Sequence, residues 1–290
     1  MPSLFVNKLA ANEFVITAEI APPKGCDPVA LMRTAISLAP FVDAINITDN
    51  QGANMRMTPL VAAGLLVREG IEPIMQLTCR DRNRLALQSD LLGAAAMGVN
   101  NVLALTGDDI GCGDHRQGRA VFDLDSVLLL QTIGAMNAGF DLNGAPLAGT
   151  TSFMAGAAAA PEVEPFDATR PKLVKKAAAG ARFFQTQAVF NPERLAYFHD
   201  AVQPLGVQVI AGILVLRSAR MAEFINRNVP GLKVPLPVIE RLAAAADPAA
   251  EGVRIAVELA RQCRSICNGI HIMAMGRYEV VPQLVAGIRN

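Results

Sequence analysis

The chain has 290 residues, a length that suits two average domains or one α/β barrel. Its 26 Lys and Arg balance 26 Asp and Glu, and with no basic stripe or Lys/Arg-rich arm, nucleic acid is not an expected partner. Five scattered cysteines, no signal-peptide core in MPSLFVNKLAANEF and no apolar run of spanning length point to a reduced cytoplasmic protein that does not enter a membrane.

The first apolar run, Val15–Ile20, predicts a buried strand. It stops at Pro22-Pro23, which lack the amide donors a central strand requires. Glu19 therefore sits at the carboxyl end of that strand, where a carboxylate is costly to bury without a partner or a task. Taken alone, it reads either as a salt-bridged strand end or as a working acid. A helix over Val29–Leu38 leads to a second strand, Ala44–Thr48, that ends in Thr48-Asp49-Asn50-Gln51. Helix Thr58–Glu69 precedes strand Pro73–Thr78, which carries Gln76 and Thr78. Helix Arg84–Met97 precedes strand Asn101–Thr106, ending Thr106-Gly107-Asp108-Asp109. A helix over Leu124–Ala138 leads to a fifth strand, Leu147–Phe153, and a short Ala- and Lys-rich helix, Val174–Ala179, to a sixth, Phe183–Val189, with Gln185 and Gln187. Helix Pro192–Gln203 and strand Val207–Leu214 follow. Two extra helical runs, near Ala219–Arg227 and Ala249–Cys267 and separated by Pro230–Pro237, come before the last strand, Ile270–Met275.

Eight strands alternating with helices predict a closed (β/α)₈ TIM barrel, a single domain over residues 1–290. No G-x-G-x-x-G turn follows the first strand, so a dinucleotide-binding open sheet loses its main support. Active sites of such barrels gather at the carboxyl ends of the strands. There the sequence supplies a set of hydrogen-bonding groups and two isolated carboxylates, Glu19 and Asp108, from different strands. His115, His199 and His271 are too dispersed for a nucleophile–base arrangement, and His271, on a predicted strand, reads as structural. Cys263 and Cys267, four apart on a predicted helix, read as core packing, and no metal site is expected.

Four segments carry a resemblance: ITAEIAPPK (Ile16–Lys24), QLTCRDRN (Gln76–Asn83), NVLALTGDD (Asn101–Asp109) and KKAAAGARFFQTQAVFN (Lys175–Asn191), with weaker echoes in AGILVL (Ala211–Leu216) and GIHIMAMGR (Gly269–Arg277). In this order they resemble the methylenetetrahydrofolate reductases, from about Ile16 to Arg277. The resemblance implies a flavin-bearing barrel that reduces the one-carbon bridge of methylenetetrahydrofolate to the methyl group of methyltetrahydrofolate. It implies Glu19 as the proton donor that opens the bridged ring, Asp108 as the carboxylate that stabilises the resulting iminium and binds the pterin, and Gln187 as the amide that holds the pterin edge. Phe190 is a weaker candidate for substrate contact, evenly matched with core packing.

For the flavin, the resemblance implies contacts from Thr48, Asp49, Asn50, Gln76, Thr106, Gly107, Asp108, Lys175 and Lys176. Lys175 stands where many members have Arg, Thr106 replaces the Arg of "RGD", and Gln76 replaces a His. The cofactor is FAD or FMN, reduced by NAD(P)H or by an electron-carrier subunit. TDNQGAN (Thr48–Asn54) in place of "TYGAN" resembles the branch found in acetogens and related anaerobes. That branch implies a zinc-containing or electron-transfer partner subunit; a homo-oligomer is the other association expected. Two alternatives share the fold: a non-redox folate-binding barrel of the corrinoid methyltransferase kind, and a flavin-independent reductase.

Overall fold

The computed structural model describes residues 3–229 and 231–289. Residues 1, 2 and 290 of the 1–290 span, and Pro230 at the head of Pro230–Pro237, lie outside the described residues. Eight parallel strands close into a barrel in chain order: β1 (Val15–Ile20), β2 (Ala44–Ile47), β3 (Pro73–Thr78), β4 (Asn101–Leu105), β5 (Met154–Ala159), β6 (Phe183–Ala188), β7 (Gln208–Leu214) and β8 (Gly269–Met273). β8 pairs back onto β1, with Thr17 opposite His271. The strands are buried on both faces, which is why they read as near-continuous apolar runs.

Side chains alternate between the barrel interior and the helical ring. The lowest interior layer is apolar, built from Val15, Ala44, Ile74, Leu103, Phe183 and Ile210. Helix α1 (Leu4–Ala10) closes the amino-terminal end, inserting Phe5 and Leu9 into that layer. Phe5 meets Phe183 edge-on, with centroids 5.5 Å apart. Two residues further along the strands the interior turns polar, with Thr17, Asn46, Gln76, Gln185 and His271 all buried. Two residues beyond those lie Glu19, Thr48, Thr78 and Gln187. The barrel is thus dry at one end and lined with hydrogen-bonding groups at the other.

Helices α2 (Val29–Leu38), α3 (Pro59–Arg68), α4 (Arg84–Ala96), α5 (Ser126–Asn137), α6 (Phe166–Ala178), α7 (Pro192–Val202) and α10 (Pro248–Arg264) alternate with the strands. Extra helices α8 (Ala219–Asn228) and α9 (Leu236–Ala244) precede α10, and α11 (Val281–Arg289) follows β8. Helices α8 and α10 match the two extra runs the sequence predicts before the last strand; α9, which begins at the end of the Pro230–Pro237 stretch, is additional, as are α1 and α11. Among the described residues no helix is long and apolar enough to cross a membrane.

The fifth strand is a correction. Leu147–Phe153 has strand-like residues but forms a loop, in which Asn137 Oδ1 accepts from Thr151 Oγ1 and from the amide of Phe153. The strand is the next segment, Met-Ala-Gly-Ala-Ala-Ala. Strand propensity would not select it, but packing does: a Cβ on Gly156 would lie 2.2 Å from the Phe183 ring. Small residues on β5 make room for the phenyl ring that fills the barrel. Helix α6 is also longer than Val174–Ala179, because it continues through Pro171.

Candidate active site

Glu19 projects from the mouth end of β1 with its side chain 12% exposed, and its Oε2 is 3.4 Å from His271 Nε2. His271 itself is fully buried on β8. Its Nδ1 lies 3.0 Å from Thr17 Oγ1 and 3.4 Å from Asn46 Nδ2. Thr17 and Asn46 thus hold one ring nitrogen of His271, and Glu19 meets the other. Glu19 lines a cavity of ≈ 320 Å³ together with Gln51, Arg56, Met275 and Tyr278. Burial raises the Tyr278 phenol above its ordinary pKa, and the charge of Glu19 contributes in the same direction.

Asp108 opens on a second cavity, of ≈ 370 Å³, with Gln76, Thr106, Gly107, Lys176 and Gln187. Asp108 and Gln187 are exposed there, while Gln76 is buried in the wall. Gly107 has φ +98, and a Cβ on it would lie 2.8 Å from Arg80 Cβ, so only glycine fits this turn. Thr106 Oγ1 accepts from the amide of Ser126 and ties the strand end to the start of α5. Thr48 is buried beneath the mouth, and its Oγ1 has no partner among the described residues; neither has Gln185 Oε1.

Asp49 and Asn50 are occupied by other loops. Asp49 is buried; it accepts from the Thr78 amide and hydroxyl, both at 2.8 Å, and from Arg82 Nη1 at 2.7 Å. Arg80, 1% exposed, donates Nε and Nη2 to Asp81 at 2.8 and 2.7 Å, Nη2 to the carbonyl of Asn50 at 3.1 Å and Nη1 to that of Asp108 at 3.5 Å. Burial works against the Asp81 carboxylate, but hydrogen bonds from Arg80 and Asn50 hold its pKa below the ordinary value. One guanidinium thus ties together the loops after β2, β3 and β4.

On α6, Lys176 is 8% exposed and donates Nζ to the carbonyl of Ala158 at 2.6 Å. Burial, reinforced by the charge of Lys172, lowers its pKa to about 8. Lys172, one turn earlier, lines the same cavity with Thr169, whereas Lys175 is exposed and outside the lining. Among the described residues neither Lys172 nor Lys176 forms an ion pair with a carboxylate. Two cations on one cavity wall, neither ion-paired with a carboxylate among the described residues, make a fitting seat for a phosphate. Phe190 packs in the outer apolar core with its amide on Glu162 Oε1. Among the described residues no three His, Cys, Asp or Glu side chains converge as a metal site would.

The structure therefore gathers Glu19, Asp108, Gln76, Thr106, Gly107, Lys176 and Gln187 at one mouth, and sets Lys175 and Phe190 outside it. The sequence reading missed His271 as the partner of Glu19, Lys172, and the Arg80–Arg82 run. The run had a visible signal, namely three charged residues in a row one position past the end of a buried strand. Lys172 was obscured by Pro171, which cut the predicted helix short.

Two fission-yeast proteins, methylenetetrahydrofolate reductases 1 and 2 of Schizosaccharomyces pombe, are each 24% identical over 81% and 83% of this chain. The chain spans 38% of the length of either. Among solved structures, tryptophan synthase from M. tuberculosis (TM-score 0.53, 12% identity, 99% of this chain and 98% of that one) and EDTA monooxygenase from Chelativorans sp. BNC1 (TM-score 0.55, 9% identity, 96% and 94%) share the fold alone. The profile of the methylenetetrahydrofolate reductase family matches residues 5–288, and the chain belongs to that family.

Proposed function

We propose that this chain is a methylenetetrahydrofolate reductase whose active site is the mouth of one barrel domain. The observation that carries the reading is the placement of Glu19 on one cavity and of Asp108 with Gln187 on its neighbour, both at the carboxyl ends of the strands. A flavin suits the second cavity. Lys176 and Lys172 would hold its phosphate end, with Gln76, Thr106 and Gly107 along the wall, and FAD and FMN share that requirement. When bound, the flavin supplies the hydride that reduces the one-carbon bridge.

The chain's own residues do the rest. Glu19, as a carboxylic acid, gives its proton to N10 of the substrate. The bond from N10 to the bridge carbon breaks, and a cation remains on N5 and that carbon. His271 Nε2 fixes the carboxyl from below, and Thr17 and Asn46 fix His271 in turn. The Asp108 carboxylate lowers the energy of the cation, most strongly once water is displaced. Gln187 offers both a donor and an acceptor to the pterin edge.

The test starts from the absorbance spectrum of the purified protein. A flavin band, endogenous or from added cofactor, should bleach with reductant and return on addition of methylenetetrahydrofolate. Glu19→Gln should keep flavin and methyltetrahydrofolate binding and lose about 10²–10⁴ in folate reduction. A protein that binds methyltetrahydrofolate yet shows no reduction with any added flavin would leave a non-redox folate barrel as the better reading. Near-normal turnover by Glu19→Gln would remove the acid from its role.

A further inference from the structure

The Glu19 cavity and the Asp108 cavity have one lining residue in common among the described residues, Gln51. It lies in the turn after β2, whose backbone is unusual. Asn50 has φ 42, Gly52 φ 62 and Ala53 φ 58, all left-handed. Glycine adopts such a conformation freely and Asn readily, so of the three only Ala53 is costly. Neighbouring loops hold the turn at Asn50. Arg80 Nη2 holds the Asn50 carbonyl, Asn50 Nδ2 donates to Asp81 Oδ2 at 3.0 Å, and the amide of Arg56 donates to Asn50 Oδ1 at 2.9 Å. The largest fully buried side chain of the barrel, Arg80, is thus engaged in keeping this turn in shape.

The turn presents Gln51 outward. Its side chain is exposed, and its carboxamide makes no hydrogen bond within the described residues. A clamped, strained turn that ends in an uncommitted amide is poor economy for stability and good design for a contact. A substrate that spans the cavity of Gln187 and Asp108 and that of Glu19 lies against the one residue lining both. Resting on the reductase reading above, we propose that Gln51 is a substrate-contacting residue. Its carboxamide hydrogen-bonds the reduced pterin between the Asp108 cavity and Glu19, and the Arg80–Asp81 pair is what positions it. An amide can accept from a ring N–H and donate to a ring nitrogen or carbonyl; a carboxylate or an aliphatic side chain at position 51 cannot do both.

The experiment compares the full chain with Gln51→Ala and Gln51→Glu, measuring methyltetrahydrofolate binding by calorimetry, flavin binding by fluorescence quenching and thermal stability. Gln51 is exposed, so both variants should fold with unchanged melting temperature. Gln51→Ala should weaken methyltetrahydrofolate binding about 3- to 10-fold, as expected for one neutral hydrogen bond, with flavin affinity unchanged. Gln51→Glu, which keeps an acceptor and loses the donor, should bind no better than Gln51→Ala. Wild-type affinity for methyltetrahydrofolate in Gln51→Ala overturns the proposal while leaving the reductase reading intact. Equal weakening of flavin and folate also overturns it, because Gln51 would then serve the cofactor. A wild-type chain that binds neither ligand overturns the reductase reading and this proposal with it.

Discussion

Asp49 offers the sharpest test of how the mouth is built, because its position suggests a cofactor contact and its surroundings suggest a structural lock. Its side chain is fully buried and receives the Thr78 amide, the Thr78 hydroxyl and two Arg82 nitrogens. Asp49→Ala would orphan the Thr78 amide, at a cost of about 1–3 kcal/mol. It would also remove one of two carboxylates from Arg82, whose Nε keeps Asp90 at 2.8 Å. Breaking a buried pair typically costs about 3–5 kcal/mol, and the surviving Asp90 contact places this site at the lower end. A loss of about 4 kcal/mol follows, a large fraction of the roughly 5–15 kcal/mol that holds a domain together. Urea denaturation of the flavin-free protein reads this directly, since bound ligand would otherwise mask it. Asp49→Asn, which keeps the volume and an acceptor, should cost about half as much. An Asp49→Ala protein with the wild-type urea midpoint but flavin affinity reduced tenfold or more would refute the lock and restore Asp49 as a ligand.

Two further outcomes follow from the packing and the charges. Gly156→Ala would force a methyl group into the Phe183 ring and should cost about 1–3 kcal/mol by overpacking; pairing it with Phe183→Leu should recover part of the loss in the same denaturation assay. Lys176 gives a pH signature. Its pKa falls from 10.5 to about 8 on folding, which at about 1.4 kcal/mol per pH unit is a penalty of about 3 kcal/mol at neutral pH. Between about pH 8 and 10.5 the unfolded chain binds the extra proton, so the stability of the flavin-free protein should rise with pH in that window. Lys176→Met should be more stable than wild type at pH 7 and lose that advantage by pH 10.5; a pH-independent difference would contradict a buried lysine whose charged form is disfavoured by folding.

The sequence made the barrel legible because parallel strands announce themselves as apolar runs, and Glu19, Asp108 and Gln187 legible because each ends or interrupts such a run. Where it failed, the deciding contact was distant in the chain. Met154–Ala159 has no strand signal of its own; it is a strand because Phe183, on the next strand, fills the space that larger side chains would need. His271 reads as an isolated imidazole until β8 closes onto β1 and brings it to 3.4 Å from Glu19, 252 residues away.

The same principle explains the charged run after β3. On paper Arg80, Asp81 and Arg82 are a solvated strand end, and charged residues are seldom fully buried unless paired. In the fold each finds its partner on another loop: Arg80 with the carbonyls of Asn50 and Asp108, Asp81 with the amide side chain of Asn50, Arg82 with Asp49. Only Arg80 is fully buried; Asp81 and Arg82 stay partly open beside it and complete the base of the mouth. The turn bearing Gln51 and the Gly107–Asp108 turn are therefore tied to the same Arg80 side chain. A substitution at Arg80 should disturb the substrate-facing groups of two loops at once, a coupling that follows from closure of the barrel and from no local feature of the sequence.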